Sequence, residues 1–157
     1  MTFPLRLRLL AAVLAPLALV SACTRESEMK MTPGESRQVF IAEAKAIIQA
    51  VFPDADPLVV VQVKDAPCGG PVGTEHTSVK SAINVHSDAT DKNLNPDDVF
   101  QKVLTVLRQR GWTINYSHTR VAGAEHAGVG GISAGVGESP VGINIFGDTE
   151  CVKNPRE

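Results

Sequence analysis

The segment Gly131-Ile-Ser-Ala-Gly135 places a serine in the G-x-S-x-G spacing of a hydrolase nucleophile elbow. That motif requires Ser133 to stand on a strained strand-to-helix turn, with an acid and a histidine later in the chain. The motif is followed shortly by the turn-like sequence Glu138-Ser139-Pro140 and not by a helical segment. The last histidine in the chain, His126, precedes the motif. We therefore predict that Ser133 lies on a glycine-bearing strand. An enzyme that uses Ser133 as its nucleophile is the alternative.

A second chemically distinctive position is Cys23, at the end of an N-terminal apolar segment. Arg6 and Arg8 precede an apolar run from Leu9 to Val20, which has the charge and length of a secretory signal. The run is shorter than the ~20 residues needed to span a bilayer. Its end, Val20-Ser21-Ala22-Cys23, resembles the bacterial lipobox. This resemblance implies cleavage before Cys23 and attachment of diacylglycerol to the thiol, whereas an ordinary signal peptide with a chance cysteine is the alternative.

Cleavage before Cys23 would divide the chain into a signal peptide (1–22), a lipid-anchored tether (23–35) and a single domain (36–157). The tether sequence "TRESEMKMTPG" is charged and has no apolar period, as expected of a linker. Two acyl chains hold a protein stably at a membrane. We therefore expect an exported protein that is anchored to the outer face of the cell membrane.

The charge balance argues against a nucleic-acid partner. Removal of Arg6 and Arg8 from the 15 basic residues leaves 13 against 17 acidic ones. The basic residues are scattered along the chain and form no cluster, so nucleic acid is not an expected partner.

Two cysteines remain once Cys23 carries lipid. Cys68 and Cys151 form an even pair in an oxidising compartment, which predicts a disulfide. Two free thiols are the alternative. No C-x-x-C occurs and no two histidines are spaced i, i+4, so the sequence predicts no metal site and no cofactor. The four histidines, read as surface or strand residues, are His76, His86, His118 and His126.

Two segments have the capping and periodicity of helices. In the first, Thr32 is the N-cap, Pro33 the first helical residue and Glu35 the capping-box partner, and Pro53 ends the helix. Its apolar stripe comprises Val39, Phe40, Ala44, Ile47, Ile48 and Val51. The second helix has Asn95 as its cap, Pro96 at its start and Gly111 at its end, with a stripe of Val99, Phe100, Val103, Leu104 and Leu107.

Alternating segments predict the strands. These segments are 58–64, 78–87, 112–119, "GISAGV" and "VGINIFG", the last two forming a hairpin. We expect Trp112, Ile114 and Tyr116 on one face of the third strand, and a loop from Arg120 to Gly130. The order α-β-β-α-β-β(-β) predicts an α+β fold in which two helices pack on one face of an antiparallel sheet of four to five strands. A β-sandwich is the rival architecture.

Several short motifs together resemble small cell-envelope lipoproteins of actinobacteria, of the mycobacterial type. They are the lipobox, "PCGG" after the first strand, "RGWT" after the second helix and a terminal "TECV". The resemblance implies lipid carriage or the binding of an envelope partner, and it supplies no catalytic residue.

The sheet face away from the helices is the predicted contact surface. We expect a non-enzymatic module that binds an envelope protein, glycan or lipid there, with the loop after Arg120 as a further contact. A face that is simply solvated is the alternative. The candidate binding residues are Lys80, Asn84, His86, Thr113, Asn115, Ser117 and Asn144.

Overall fold

The computed structural model describes residues 31–69, 73 and 75–155. The predicted signal peptide, Cys23 and most of the predicted tether lie outside these residues. The boundary predicted at residue 36 falls in the first turn of a helix, α1 (Pro33–Val51).

Both helices begin at the N-cap residues that the sequence predicted. The Thr32 hydroxyl accepts a hydrogen bond from the Glu35 amide (3.2 Å), and the Glu35 carboxylate accepts one from the Thr32 amide (2.8 Å). This second bond lowers the pKa of Glu35. In the second helix, α2 (Pro96–Gln109), the Asn95 side chain accepts from the Asp97 amide (2.8 Å). Gly111 follows α2 with φ +84°, the left-handed conformation that favours glycine after a helix.

Seven strands form one antiparallel sheet, two more than the upper limit predicted. Six of them lie in the order β1-β2-β6-β5-β4-β3, and β7 pairs with the first residues of β2. A 3₁₀ turn, Glu75–Thr77, precedes β2. The strands are β1 (Leu58–Pro67), β2 (Ser78–Asp88), β3 (Thr113–His118), β4 (Val121–His126), β5 (Gly130–Glu138), β6 (Val141–Thr149) and β7 (Val152–Lys153).

Both helices pack on one face of this sheet. Helix α1 contacts β2 and β6, and α2 contacts β3, β4 and β5. The α+β class and the antiparallel sheet are therefore confirmed. The space between the two layers is filled by fully buried apolar side chains, among them Phe40, Ile47, Ile48, Ile83, Val103, Leu107, Ile143 and Ile145.

The predicted loop from Arg120 to Gly130 is wrong, because most of this segment is strand β4. Ala122 and Ala124 lie buried against the helices, where their small side chains leave room for α2. The turn before β4 has positive φ at Thr119 (45°) and Arg120 (62°). Such turns usually carry Asn-Gly, so Thr119-Arg120 did not indicate a hairpin.

The face predicted for Tyr116 is also wrong. Ile114 pairs with Ala124 but Tyr116 pairs with Gly123, so Asn115 is an extra residue in β3. This bulge reverses the alternation of side chains beyond it. Ile114 therefore points to the helices, whereas Tyr116 points away from them and is 54% exposed.

Candidate binding site

The sheet face away from the helices, called the outer face below, carries most of the predicted binding residues. On β2, buried Val79, Ile83 and Val85 alternate with more exposed residues on the outer face. Register places Asn144 beside His86 and Thr113 beside Glu125. The predicted residues on this face are Lys80, Asn84, His86, Thr113 and Asn144.

Asn115, the extra residue of the β3 bulge, also lines a groove on this face. Ser117 does not belong to that array. It pairs with Ala122, whose side chain is buried on the helix side, so Ser117 has the opposite orientation from Tyr116. The bulge accounts for this departure from simple alternation.

A shallow trough runs along β5 in the middle of the outer face. Ile132, Ala134 and Val136 are buried toward the helices, so the alternate positions of the strand face outward. Those positions hold Gly131, Ser133, Gly135 and Gly137, and they define what we call the β5 trough. Only Ser133 has a side chain, so the floor is almost bare backbone. The neighbouring strands β4 and β6 each lie ~4.8 Å away and form the two walls.

Aromatic rings stand on both sides of this floor. Register aligns Tyr116, Gly123, Ser133 and Phe146 in one row across four strands. The Tyr116 ring lies over Gly123, where a methyl group would overlap the ring. Phe146, on the opposite wall, is 47% exposed. The groove that includes these residues has a volume of about 810 Å³.

Charged groups line one end of the trough. Glu125 and Asp148 both pair in register with Gly131, one from each wall. The Asp148 carboxylate accepts a hydrogen bond from the Lys80 ammonium (2.7 Å). Because both partners are partly exposed, this ion pair contributes little to stability, and it leaves polar atoms accessible to a ligand.

A second groove of about 370 Å³ lies farther along the same face. Val60, Asn84, His86 and Asn144 are among the residues that line it. The Asn84 Oδ1 atom is buried and accepts no hydrogen bond from any residue that the structure describes. Buried polar atoms usually have a partner, so this oxygen is an exception to that rule.

Ser133 does not lie on a nucleophile elbow. It occupies the middle of β5, which continues to Glu138 and turns into β6. His126 pairs with Gly130, which precedes the outward-facing Gly131, so His126 faces the helices. The His126 ring packs against Trp112, with ring centroids 5.4 Å apart. The Nδ1 atom of His126 donates a hydrogen bond to the Ala127 carbonyl oxygen (2.8 Å). The fold thus directs Ser133 and the nearest upstream histidine in the chain toward opposite faces.

The structure reveals a polar cluster that the sequence analysis missed. The Glu43 carboxylate accepts two hydrogen bonds from the Arg110 guanidinium (both 2.7 Å) and one from the Trp112 indole (3.1 Å). The Arg110 hydrogen bond is the main reason that the pKa of Glu43 lies below its usual value. Glu43 and Arg110 are 67 residues apart, so no local spacing could have indicated this pair. Its geometry joins α1 to the end of α2.

The predicted disulfide between Cys68 and Cys151 is confirmed. Their Cα atoms lie 6.1 Å apart, and 83 positions separate them in the sequence. Cys68 follows β1 and Cys151 precedes β7, so the bond connects the end of the first strand to the C-terminal segment. Cys151 also lines the larger groove on the outer face.

The chain matches no known protein-family model, and no curated protein or solved structure shows significant similarity to it. Neither α1 nor α2, the two α-helices in the described part of the chain, has the length and hydrophobicity needed to cross a membrane. Within residues 31–69, 73 and 75–155, no three His, Cys, Asp or Glu side chains come together as metal ligands would.

Proposed function

We propose that this protein is a lipid-anchored, extracytoplasmic binding module whose outer sheet face contacts an envelope protein, glycan or lipid. The observation that carries this proposal is the β5 trough between the exposed rings of Tyr116 and Phe146. Exposed apolar groups beside hydrogen-bonding side chains are typical of a recognition surface. The outer face has no part in packing the helices, so the fold does not require aromatic residues there.

The filled interior supports surface recognition over lipid carriage. A lipid carrier needs an apolar cavity large enough for acyl chains. Here Phe40, Ile48 and Leu107 are among the fully buried side chains that occupy the space between helices and sheet. A lipid partner would therefore bind on the outer face or through its headgroup.

The anchoring part of the proposal rests on the lipobox-like sequence that ends at Cys23, and the disulfide supports an oxidising compartment. In an envelope-competent bacterial host, a metabolic acyl probe should label the wild-type chain and not Cys23→Ala. Equal labelling of both chains would contradict anchoring at this cysteine. Cys68→Ser is the control, since it should retain the label.

The binding part is tested by removing the aromatic walls. Pull-down from envelope extracts should recover a partner with the wild-type chain, and its yield should fall about tenfold or more with Tyr116→Ala and Phe146→Ala combined, as expected for aromatic hot spots. Val39→Ala is the matched control because Val39 is a partly exposed apolar residue on α1. Identical partners at identical yield from all chains would contradict the proposal, as would a hydrolytic activity that Ser133→Ala abolishes.

A further inference from the structure

Strand β1 lies at the edge of the sheet and exposes aliphatic side chains along its first half. Among the residues that the structure describes, β1 pairs only with β2. Leu58, Val60, Val61 and Val63 are 57%, 38%, 42% and 49% exposed. An edge of this kind is a template for another strand, because its outward amides and carbonyls lack a strand partner.

The opposite edge of the sheet differs in length and composition. Strand β3 has six residues and is largely polar, whereas β1 has ten. Short, polar edges resist pairing with another chain. The contrast shows that only one of the two edges has the composition of a docking strand.

The regular part of β1 contains Val60. Pro57 precedes it and cannot donate a ladder hydrogen bond. The first irregularity in the pairing with β2 comes between Val61 and Val63. Gln62 has no partner in this pairing, so the regular run is Leu58–Val61. A copy paired about Val60 would place Val59 opposite Val61, and both residues lie inside this run.

The charges at the two ends of β1 are opposite. Asp54 and Asp56 are exposed before the strand, and Lys64 is exposed near its other end. Asp65 does not offset Lys64, since its carboxylate pairs with Arg37. An antiparallel copy of β1 would bring Lys64 near the acidic start of its partner, whereas a parallel copy would bring like charges together.

We propose that two copies of this protein associate through antiparallel pairing of their β1 strands around a two-fold axis at Val60. Such pairing is isologous, because each strand presents the same surface to the other. Val60 of one chain then lies opposite Val60 of the second, and the two sheets join with their outer faces on the same side. This proposal does not depend on the proposed binding function of the outer face.

A cysteine at the symmetry axis tests the geometry directly. Opposed residues of an antiparallel pair have Cα atoms about 4.5–5.5 Å apart, within the range that a disulfide spans. The full-length chain carrying Val60→Cys should give a covalent dimer on a non-reducing gel, and reductant should abolish it. Val121→Cys is the matched control, because Val121 is equally exposed at 38% but lies on β4. Equal dimer yield from the two variants would overturn the proposal, and so would a Val60→Cys adduct with a different protein.

A charge exchange tests the antiparallel direction. In the detergent-solubilised full-length chain, Lys64→Glu should raise the dimer dissociation constant about three- to thirtyfold at low salt, because two exposed ion pairs become repulsive. Asp56→Lys added to Lys64→Glu should restore dimerisation. Analytical ultracentrifugation measures both constants, and Trp112 fluorescence verifies the fold. A monomeric wild-type chain, or an unchanged constant in Lys64→Glu, would overturn the proposal.

Discussion

At the scale of single residues, Glu43 links α1 to the end of α2 through polar contacts. Its carboxylate accepts hydrogen bonds from both Arg110 and Trp112, and its side chain is only 17% exposed. Bidentate pairs between arginine and a carboxylate are stronger than ordinary surface ion pairs. Glu43 therefore helps to fix the position of α1 relative to the end of α2.

Substitution Glu43→Gln should lower the free energy of unfolding by about 1–3 kcal/mol at pH 7, because one charge-assisted bidentate interaction is lost. The pKa of Glu43 is lower in the folded state, so its stabilisation is present above the unfolded pKa of about 4.3 and is lost as pH falls through the folded pKa. Urea unfolding followed by the single tryptophan should show the wild-type advantage shrinking below about pH 4.

The exposed turn carboxylate Asp54 provides the control for this measurement. Asp54→Asn should change the free energy of unfolding by less than about 0.5 kcal/mol, as is usual for surface substitutions. A difference between Glu43→Gln and wild type that stays constant from pH 7 to pH 3 would contradict the ionic role of Glu43.

At the scale of secondary-structure elements, the hairpin of β5 and β6 serves both the core and the outer face. Its helix-facing positions include Ile143 and Ile145, which are buried, whereas the outward positions of β5 form the glycine floor. Glycines on the two strands have different roles. At Gly147 a side chain would overlap the Gly131 carbonyl oxygen, whereas at Gly135 the nearest atom is the Val121 Cγ2 at 3.8 Å.

Gly147→Ala should therefore destabilise the fold by about 1–3 kcal/mol, because the backbone of β5 would have to move. Gly135→Ala should change stability by less than about 1 kcal/mol, since the new methyl group makes ordinary contacts. Thermal unfolding of the two variants provides the comparison. Equal losses of stability in the two variants would show that overlap of the new methyl group with the β5 backbone does not cause the destabilisation of Gly147→Ala.

At the scale of the whole molecule, the disulfide connects the end of β1 to the C-terminal segment of the described domain. The bond between Cys68 and Cys151 closes a loop that contains β2, α2 and β3 to β6. Loop closure restricts the unfolded chain, and the entropic effect grows with loop length. The bond therefore stabilises the domain as a unit and not one local element.

Replacement of both cysteines by serine should lower the free energy of unfolding by about 4–5 kcal/mol in the chain-entropy model, which suits a loop of this length. In urea unfolding of the full-length wild-type chain, reductant should lower the free energy of unfolding by the same amount. Reductant should leave the double variant unchanged. A wild-type chain whose unfolding midpoint does not respond to reductant would contradict this role.

Features that depend on neighbouring residues were predictable from the sequence. The capping box of Thr32 and Glu35, the Asn95 cap and the β5–β6 hairpin follow from interactions within a few positions, so local chemistry predicts them. The alternation of β2 correctly separated Ile83 and Val85 from Asn84. The disulfide was also predictable, because only two cysteines remain once Cys23 is assigned to lipidation.

Features that depend on distant residues are visible only in the folded chain. The bulge at Asn115 is defined by how β3 pairs with β4, and it alone places Tyr116 on the outer face. Strand β4 was not predicted, because its alanines have low strand propensity and are buried only once α2 covers them. The β5 trough likewise needs β4 and β6 as its walls. Such features depend on contacts between strands and helices far apart in sequence, which composition and periodicity do not encode.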